Sequence, residues 1–322
     1  MFISLLITML ALESYELCND MSIKSKEDTK YEYMYNYKYP IETPPKNGEA
    51  VYIETLKKEI YGYNLDVTLM GIDNDNKYFD YNVPKSKSEV IISSSVASKY
   101  NLKKGEMLVL KDELNDINYA FKIKEIVDYS VGLNIFMDID SMRELFNKKD
   151  DYYNTVFSSE SLDIAPGRLY STISKEDIYN NANIFISHMR PVVGIFIVVS
   201  LVIFIIVMYL MMKMMIDKSE LNISLMKIFG FRDKEVKKLY INGNFFTVAV
   251  GALICIPLSK ISMNKIYPYL VSNVACGYPV SLSFTMYTLM YISIIISYLC
   301  INKLLIRKIK KITPAEILKN RE

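Results

Sequence analysis

Three stretches of this chain run the width of a lipid bilayer without one charged side chain, which excludes most soluble folds. Pro191 to Met212 is uncharged for 22 residues and Leu239 to Ser259 for 21. The third lies within Ile266 to Asn302 and is most apolar from Phe284 to Ile301. A helix rises about 1.5 Å per residue, so about 20 residues cross the hydrocarbon core. Helices buried in a large soluble core are the alternative, but they rarely run this long without a charge.

The remaining charges give the orientation. Net charge is +2, yet residues 1–190 carry 22 Lys/Arg against 30 Asp/Glu, and residues 191–322 carry 16 against 6. The basic excess sits among the apolar runs, where it orients helices and meets lipid headgroups. It is no sign of nucleic-acid binding. Seven Lys/Arg lie in 213–238 and seven in 303–322, against only Lys260 and Lys265 in 260–283. The positive-inside rule predicts a cytoplasmic loop at 213–238 and a cytoplasmic tail at 303–322. It makes 260–283 an external loop and 13–190 extracytoplasmic, in a multi-pass protein of the cell membrane. Tyr267, Tyr269 and Tyr278 suit an interfacial aromatic belt.

Met1 to Leu12 is apolar but too short for a full span, and no Lys or Arg precedes Lys24. Neither a basic n-region nor a small-residue cleavage site of a signal peptide is evident. The segment reads as a partial first transmembrane helix over 1–12, of which the cytoplasmic half is absent, or as a loosely attached apolar terminus. The expected fold is therefore a membrane α-helical one, with three full spans at 191–212, 239–259 and 284–302 plus a partial N-terminal span. An α+β extracytoplasmic domain occupies 13–173.

Within that domain Val90 to Ile92 predicts a strand, and Ser93 to Ser95 caps a helix over Val96 to Tyr100. Met107 to Leu110 is continuously apolar, as a strand buried on both faces would be. Tyr119 to Ile126 largely alternates, with Asn115-Asp116 as the intervening turn. Ile135 to Met137 leads into a helix at Ser141 to Phe146, and Arg168 to Ile173 is a last strand. Largely antiparallel pairing is expected. Tyr31, Tyr33, Tyr35, Tyr37 and Tyr39 alternate strictly, which fits a packed strand or a ligand platform. Ser174 with Asp177 forms a capping box that opens a helix over 174–190, either a stalk continuous with the next span or a separate surface helix.

No residue set points to catalysis or metal binding. The closest glycines, Gly243 and Gly251, lie eight apart, so a phosphate-cradling loop is missing. His188 is the only histidine, which excludes a two-histidine zinc motif or a triad needing a second one. Asp73 to Asn76 resembles the start of a calcium loop but lacks the turn glycine, so a solvated turn is the better reading. Cys18, Cys255, Cys276 and Cys300 show no metal or disulfide spacing.

Two short segments remain. In Asn222 to Phe231 (NISLMKIFGF), Leu225, Ile228 and Phe229 mark an apolar helical face, and Gly230 supplies a stop. Such a helix either enters a groove on a partner protein or lies flat in the headgroups. Gly243, Thr247 and Gly251 recur every four residues, a spacing that lets helix backbones approach within one chain or between two copies.

The helix at Asn222 to Phe231, together with the tail Ile312 to Glu322 (ITPAEILKNRE), resembles the permease subunits of FtsX-like (MacB-type) ABC transporters. There an Ile-x-x-Leu-Lys-x-Leu-Gly helix follows the second span and a Pro-Ala-Glu-x-Leu tail the fourth. Ile92 to Glu106 (ISSSVASKYNLKKGE) is also similar to the extracytoplasmic core of those permeases. The resemblance implies a chain equivalent to the second repeat of a longer permease, or a fragment. It implies that ATP is bound by a separate ABC ATPase subunit, with no cofactor in this chain. Ile223, Met226, Lys227, Phe229 and Gly230 would meet that ATPase, and Gly243, Thr247 and Gly251 a second permease copy or half, within membrane lipid. Many members carry Glu where this chain has Asn222, so a salt bridge from that position is not implied. The function implied is export, or peptide and antibiotic resistance, driven by that ATPase. The competing reading is a membrane-anchored sensory or cell-wall-hydrolase-regulating protein without transport.

Overall fold

Neither proline nor glycine occurs before Pro40, and nothing in the first stretch stops a helix. In the computed structural model, which describes residues 2–39, 43–232, 235–236, 238, 243–277 and 282–311, α1 accordingly spans Phe2–Glu27. The expected end at Leu12 is too early, because the Glu and Lys residues beyond it are good helix formers. Then come β1 (Tyr33–Tyr37), β2 (Glu49–Ile60), β3 (Tyr63–Ile72), β4 (Glu89–Ser93), α2 (Ser94–Tyr100), β5 (Met107–Asp112) and β6 (Ile117–Val127). β7 (Asn134–Asp138), α3 (Ile139–Leu145), β8 (Thr155–Ser158) and β9 (Leu169–Ser174) follow. Next are α4 (Lys175–Lys218), α5 (Glu220–Ile228), α6 (Gly243–Leu270) and α7 (Phe284–Lys311). Two units result, one of Met1–Tyr15, Pro191–Ile266 and Ser281–Glu322, the other of Glu16–Arg190 and Tyr267–Val280.

The second unit is built on nine strands in the order β3-β7-β4-β6-β5-β2-β8-β1-β9, with β3 also paired to β2. Six of them therefore close into a ring, and β8, β1 and β9 extend β2 as an antiparallel flap. The closure is thin, since β2 meets β5 at one pair, Lys57 opposite Lys111. Pairing is largely antiparallel as expected, but β3–β7 and β4–β6 are parallel. β2 serves both layers: Glu49 to Val51 pair with β8, and Tyr52 to Ile60 with β3. Tyr61 and Gly62, both at positive φ, make the two-residue turn between β2 and β3.

Period-two alternation explains the cores. Leu69, Ile92, Ile135 and Met137 pack with Leu108, Leu110, Phe121 and Ile123, while their strand neighbours Met70, Ile91 and Phe136 pack with Phe79, Tyr129 and Phe157. β4 and β7 are thus apolar on both faces. β5 is not: Leu108 and Leu110 are buried, but Met107 and Val109 are exposed. The expectation of a strand buried on both faces fails because, among the described residues, no second core covers this side.

Local signals read from sequence reappear as geometry. Ser93 Oγ accepts from Val96 N and caps α2, and Asn101 ends it in the left-handed region. In the β5–β6 turn the Asn115 side-chain amide, then the Asn115 and Leu114 N–H groups, hold the Asp112 carboxyl below the usual carboxylate range. Asp73 to Asn76 is a turn, with Asn76 Oδ1 accepting from the amides of Tyr78 and Phe79. The tyrosine stripe is packing: Tyr35 and Tyr37 are buried with Tyr153 and Val156, Tyr31 stacks on Phe157 at 4.3 Å, and only Tyr39 stands well exposed. Ser174 and Asp177 form the reciprocal capping box, at 2.9 Å to Ser174 N and 3.0 Å to Asp177 N.

Among the described residues, α1, α4, α6 and α7 are long and apolar enough to cross a membrane. α4 is a single 44-residue helix with Pro191 inside it. It buries one seam, Ser200, Phe204, Met208, Met212 and Ile216, at every fourth residue, while Val198, Val199, Leu201 and Val202 are exposed on its other sides. Side chains 100° apart that are all apolar and all exposed call for lipid around them. α6 has a similar seam at Ala252, Ile256, Ser259, Met263 and Tyr267, and α7 at Met290, Ile294, Tyr298, Ile301 and Leu305.

The spans are longer than the uncharged runs. α4 continues past Met212, α7 past Asn302, and α6 past Ser259 to Leu270, which shortens the loop expected at 260–283. Lys260, a good helix former, ends the uncharged run but not α6, and its charge is paired inside the helical unit: Lys260 Nζ donates to Glu13 Oε1 at 2.7 Å, with side-chain exposures of 14% and 4%. Both residues belong to the first unit. The start of the expected span at 239–242, parts of 233–238 and the tail Ile312 to Glu322 lie outside the described residues.

Candidate functional site

α5 follows α4 after a single residue, Ser219, whose N–H still bonds to Met215 and Ile216 O. Glu220 in its first turn and Lys227 in its last complement the helix dipole. The helix ends in a complete Schellman motif: Gly230 N donates to Lys227 O at 3.1 Å and Phe231 N to Met226 O at 3.1 Å. Gly230 adopts φ +89°, a conformation open to glycine and strained for any β-branched residue. Arg232 N then bonds to Glu235 Oε2 at 2.9 Å.

The faces of α5 are divided. Leu221, Leu225, Ile228 and Phe229, at spacings of four, three and one, are all exposed, Phe229 at 77%. Ile223 and Ser224 on the other side are buried. Of the residues expected to meet a partner, Phe229 and Gly230 stand exposed, and Met226 and Lys227 are half-buried. Ile223 is fully buried and does not belong to that face. Its place on the helix, two residues from both Leu221 and Leu225, turns it about 200° away from them. Leu221 was missed, although its i, i+4, i+7 relation to Leu225 and Ile228 carried the signal.

On α6, Gly243 opens the helix, Thr247 is exposed and Gly251 is half-buried, so this stripe lies apart from the buried seam. The Glu13–Lys260 pair was not read from sequence; a lysine within an otherwise apolar helix was its only signal. Among the described residues no group of three or more His, Cys, Asp or Glu stands together as a metal site.

Residues 194–314 match the family model described as FtsX-like permease C-terminal. The matched segment begins inside α4 and contains all of α5 and α6. Among solved structures, the chain is similar to the extracellular domain of the noncanonic ABC-type transporter YknZ from Gram-positive bacteria, at 18% identity and a TM-score of 0.25. That similarity covers 37% of this chain and 67% of the other. No curated protein matches.

Proposed function

We propose, from the match of residues 194–314 to the FtsX-like permease C-terminal family model, that this chain is the permease subunit of an ABC transporter. A separate ATPase drives it, and the sheet-bearing unit lies outside the cell membrane. The carrying observation is the exposed apolar face of α5, Leu221, Leu225, Ile228 and Phe229, on a short helix set between two candidate spans. Apolar side chains presented at helical spacing fit a hydrophobic groove on a partner, and the aromatic among them is the natural anchor. The seven basic residues of 213–238 support a cytoplasmic place for α5, where ATP is available.

ATP-driven movement of the ATPases displaces α5. The displacement passes to α4, which ends one residue before α5 and begins directly after β9. The sheet-bearing unit changes conformation in consequence, and the outcome is export or resistance to a peptide or antibiotic. The exposed Thr247 on α6 supports contact with a second permease copy.

The test is co-purification of the chain with its ATPase from membranes. Phe229→Ala should lose binding by about 2 kcal/mol or more, as removal of an interface anchor does, while membrane insertion is unchanged. Full retention of ATPase binding by Phe229→Ala contradicts the assignment.

A further inference from the structure

The segment that follows α6 is pinned to the sheet-bearing unit at three points, all within that unit. Lys99, on α2, is 1% exposed, and its Nζ donates to Val271 O at 2.7 Å and to Val274 O at 2.6 Å. Gly277 lies so close to α2 that an added Cβ would stand 2.7 Å from Ser95 Cα and 2.8 Å from Ser98 Oγ. Tyr269, in the last turn of α6, packs its ring 3.9 Å from that of Tyr61 at the β2–β3 turn.

These contacts are pins rather than a packed face. A cavity of about 180 Å³ lies beside them, bounded by Leu17 and Met21 of α1, Ser94, Ser95 and Ser98 of α2, and Cys276 and Gly277. Lys99 is the strongest pin for a physical reason. Val271 is the first residue past α6, at the negative end of the helix dipole, and an ammonium is favoured there as a second donor to its carbonyl. A buried ammonium also tolerates few positions, because it must keep its hydrogen-bond acceptors.

We infer that Lys99 is a positioning residue that clamps the α6–α7 connection onto α2, making this connection a second route of mechanical transmission beside α4. The clamp stands on the structure alone, and its role in transmission rests on the proposed function. When α6 moves along its axis, the clamp carries that motion to α2 and hence to β4, which α2 follows directly in the chain.

Lys99→Met suits the test. Val271 O and Val274 O each keep a backbone donor, Val274 N and Cys276 N respectively, so the variant leaves neither carbonyl orphaned. Gly277→Ala is the second variant; it presses the strap off α2 without touching the lysine. The full chain in lipid nanodiscs, with and without its ATPase, is followed by amide hydrogen exchange and by ATP-dependent change in exchange over 89–100. Both variants should raise exchange over 267–277 by about tenfold or more, with the strands of the ring unchanged. Both should also lose most of the ATP-dependent change at 89–100. Unchanged exchange over 267–277 in both variants overturns the clamp. Raised exchange with an intact ATP response overturns the second route. A wild-type chain that shows no ATP response defeats the proposed function and the transmission route with it, while the exchange comparison still decides the clamp.

Discussion

Gly230 is where residue-level chemistry bears most directly on coupling. Its φ of +89° lets Phe231 N reach Met226 O and finish α5, and open space surrounds the position, so any substitution acts through backbone strain alone. Gly230→Val should therefore be strained by about 1–2 kcal/mol or more at this position, and Gly230→Asn, which tolerates the left-handed region, by less. The expected result is reduced ATPase co-purification with Val and near-normal recovery with Asn, at equal membrane levels. Equal loss for both would show that the Schellman turn is not what matters. Gly230 as a helix stop was legible from its place after an apolar face. The burial of Ile223 was not, because a motif gives the residue types of a helix and not which side its own protein covers.

At the scale of elements, what could be read depended on how local the cause was. The capping box at Ser174 and Asp177 and the cap at Ser93 act over three residues, and the structure contains both. β2 and β3 were not read: charges fall among their apolar residues, and the turn between them is Tyr61-Gly62 rather than a strong Asn-Gly signal. The outer face of β5 depends on whether another layer covers it, which is a tertiary fact. The burial of Lys260 within α6 is the clearest case, because the partner that compensates its charge is Glu13, 247 residues away. That pair yields a prediction for the helical unit. Glu13→Gln or Lys260→Met alone leaves a buried charge uncompensated and should cost roughly 3–5 kcal/mol, whereas Glu13→Leu with Lys260→Leu should be near neutral. Thermal unfolding of the four proteins in one detergent checks this. Additive losses in the double variant would mean that the two residues do not act as a pair.

For the whole molecule, the division into a basic membrane half and an acidic sheet-bearing half was visible from charge alone, since 30 acidic residues lie before residue 191 and 6 after. The closure of six strands into a ring was not, because it hangs on one β2–β5 pair between residues far apart in sequence. The orientation has its own check. With the native cysteines replaced, a cysteine at Arg232 should resist a membrane-impermeant maleimide in intact cells, and one at Lys111 should react. Both side chains are exposed, so burial cannot mimic the result. The opposite labelling pattern would reverse the topology.

On the proposed function, α5 docks into an ATPase and not into lipid. A photoreactive phenylalanine analogue at position 229, irradiated in native membranes, reports what that side chain touches. A single covalent adduct of the chain with an ABC ATPase is the predicted result, weakened when Leu225→Ala is added. Adducts with lipid alone, in membranes that contain the ATPase, would contradict the claim and place α5 on the bilayer surface.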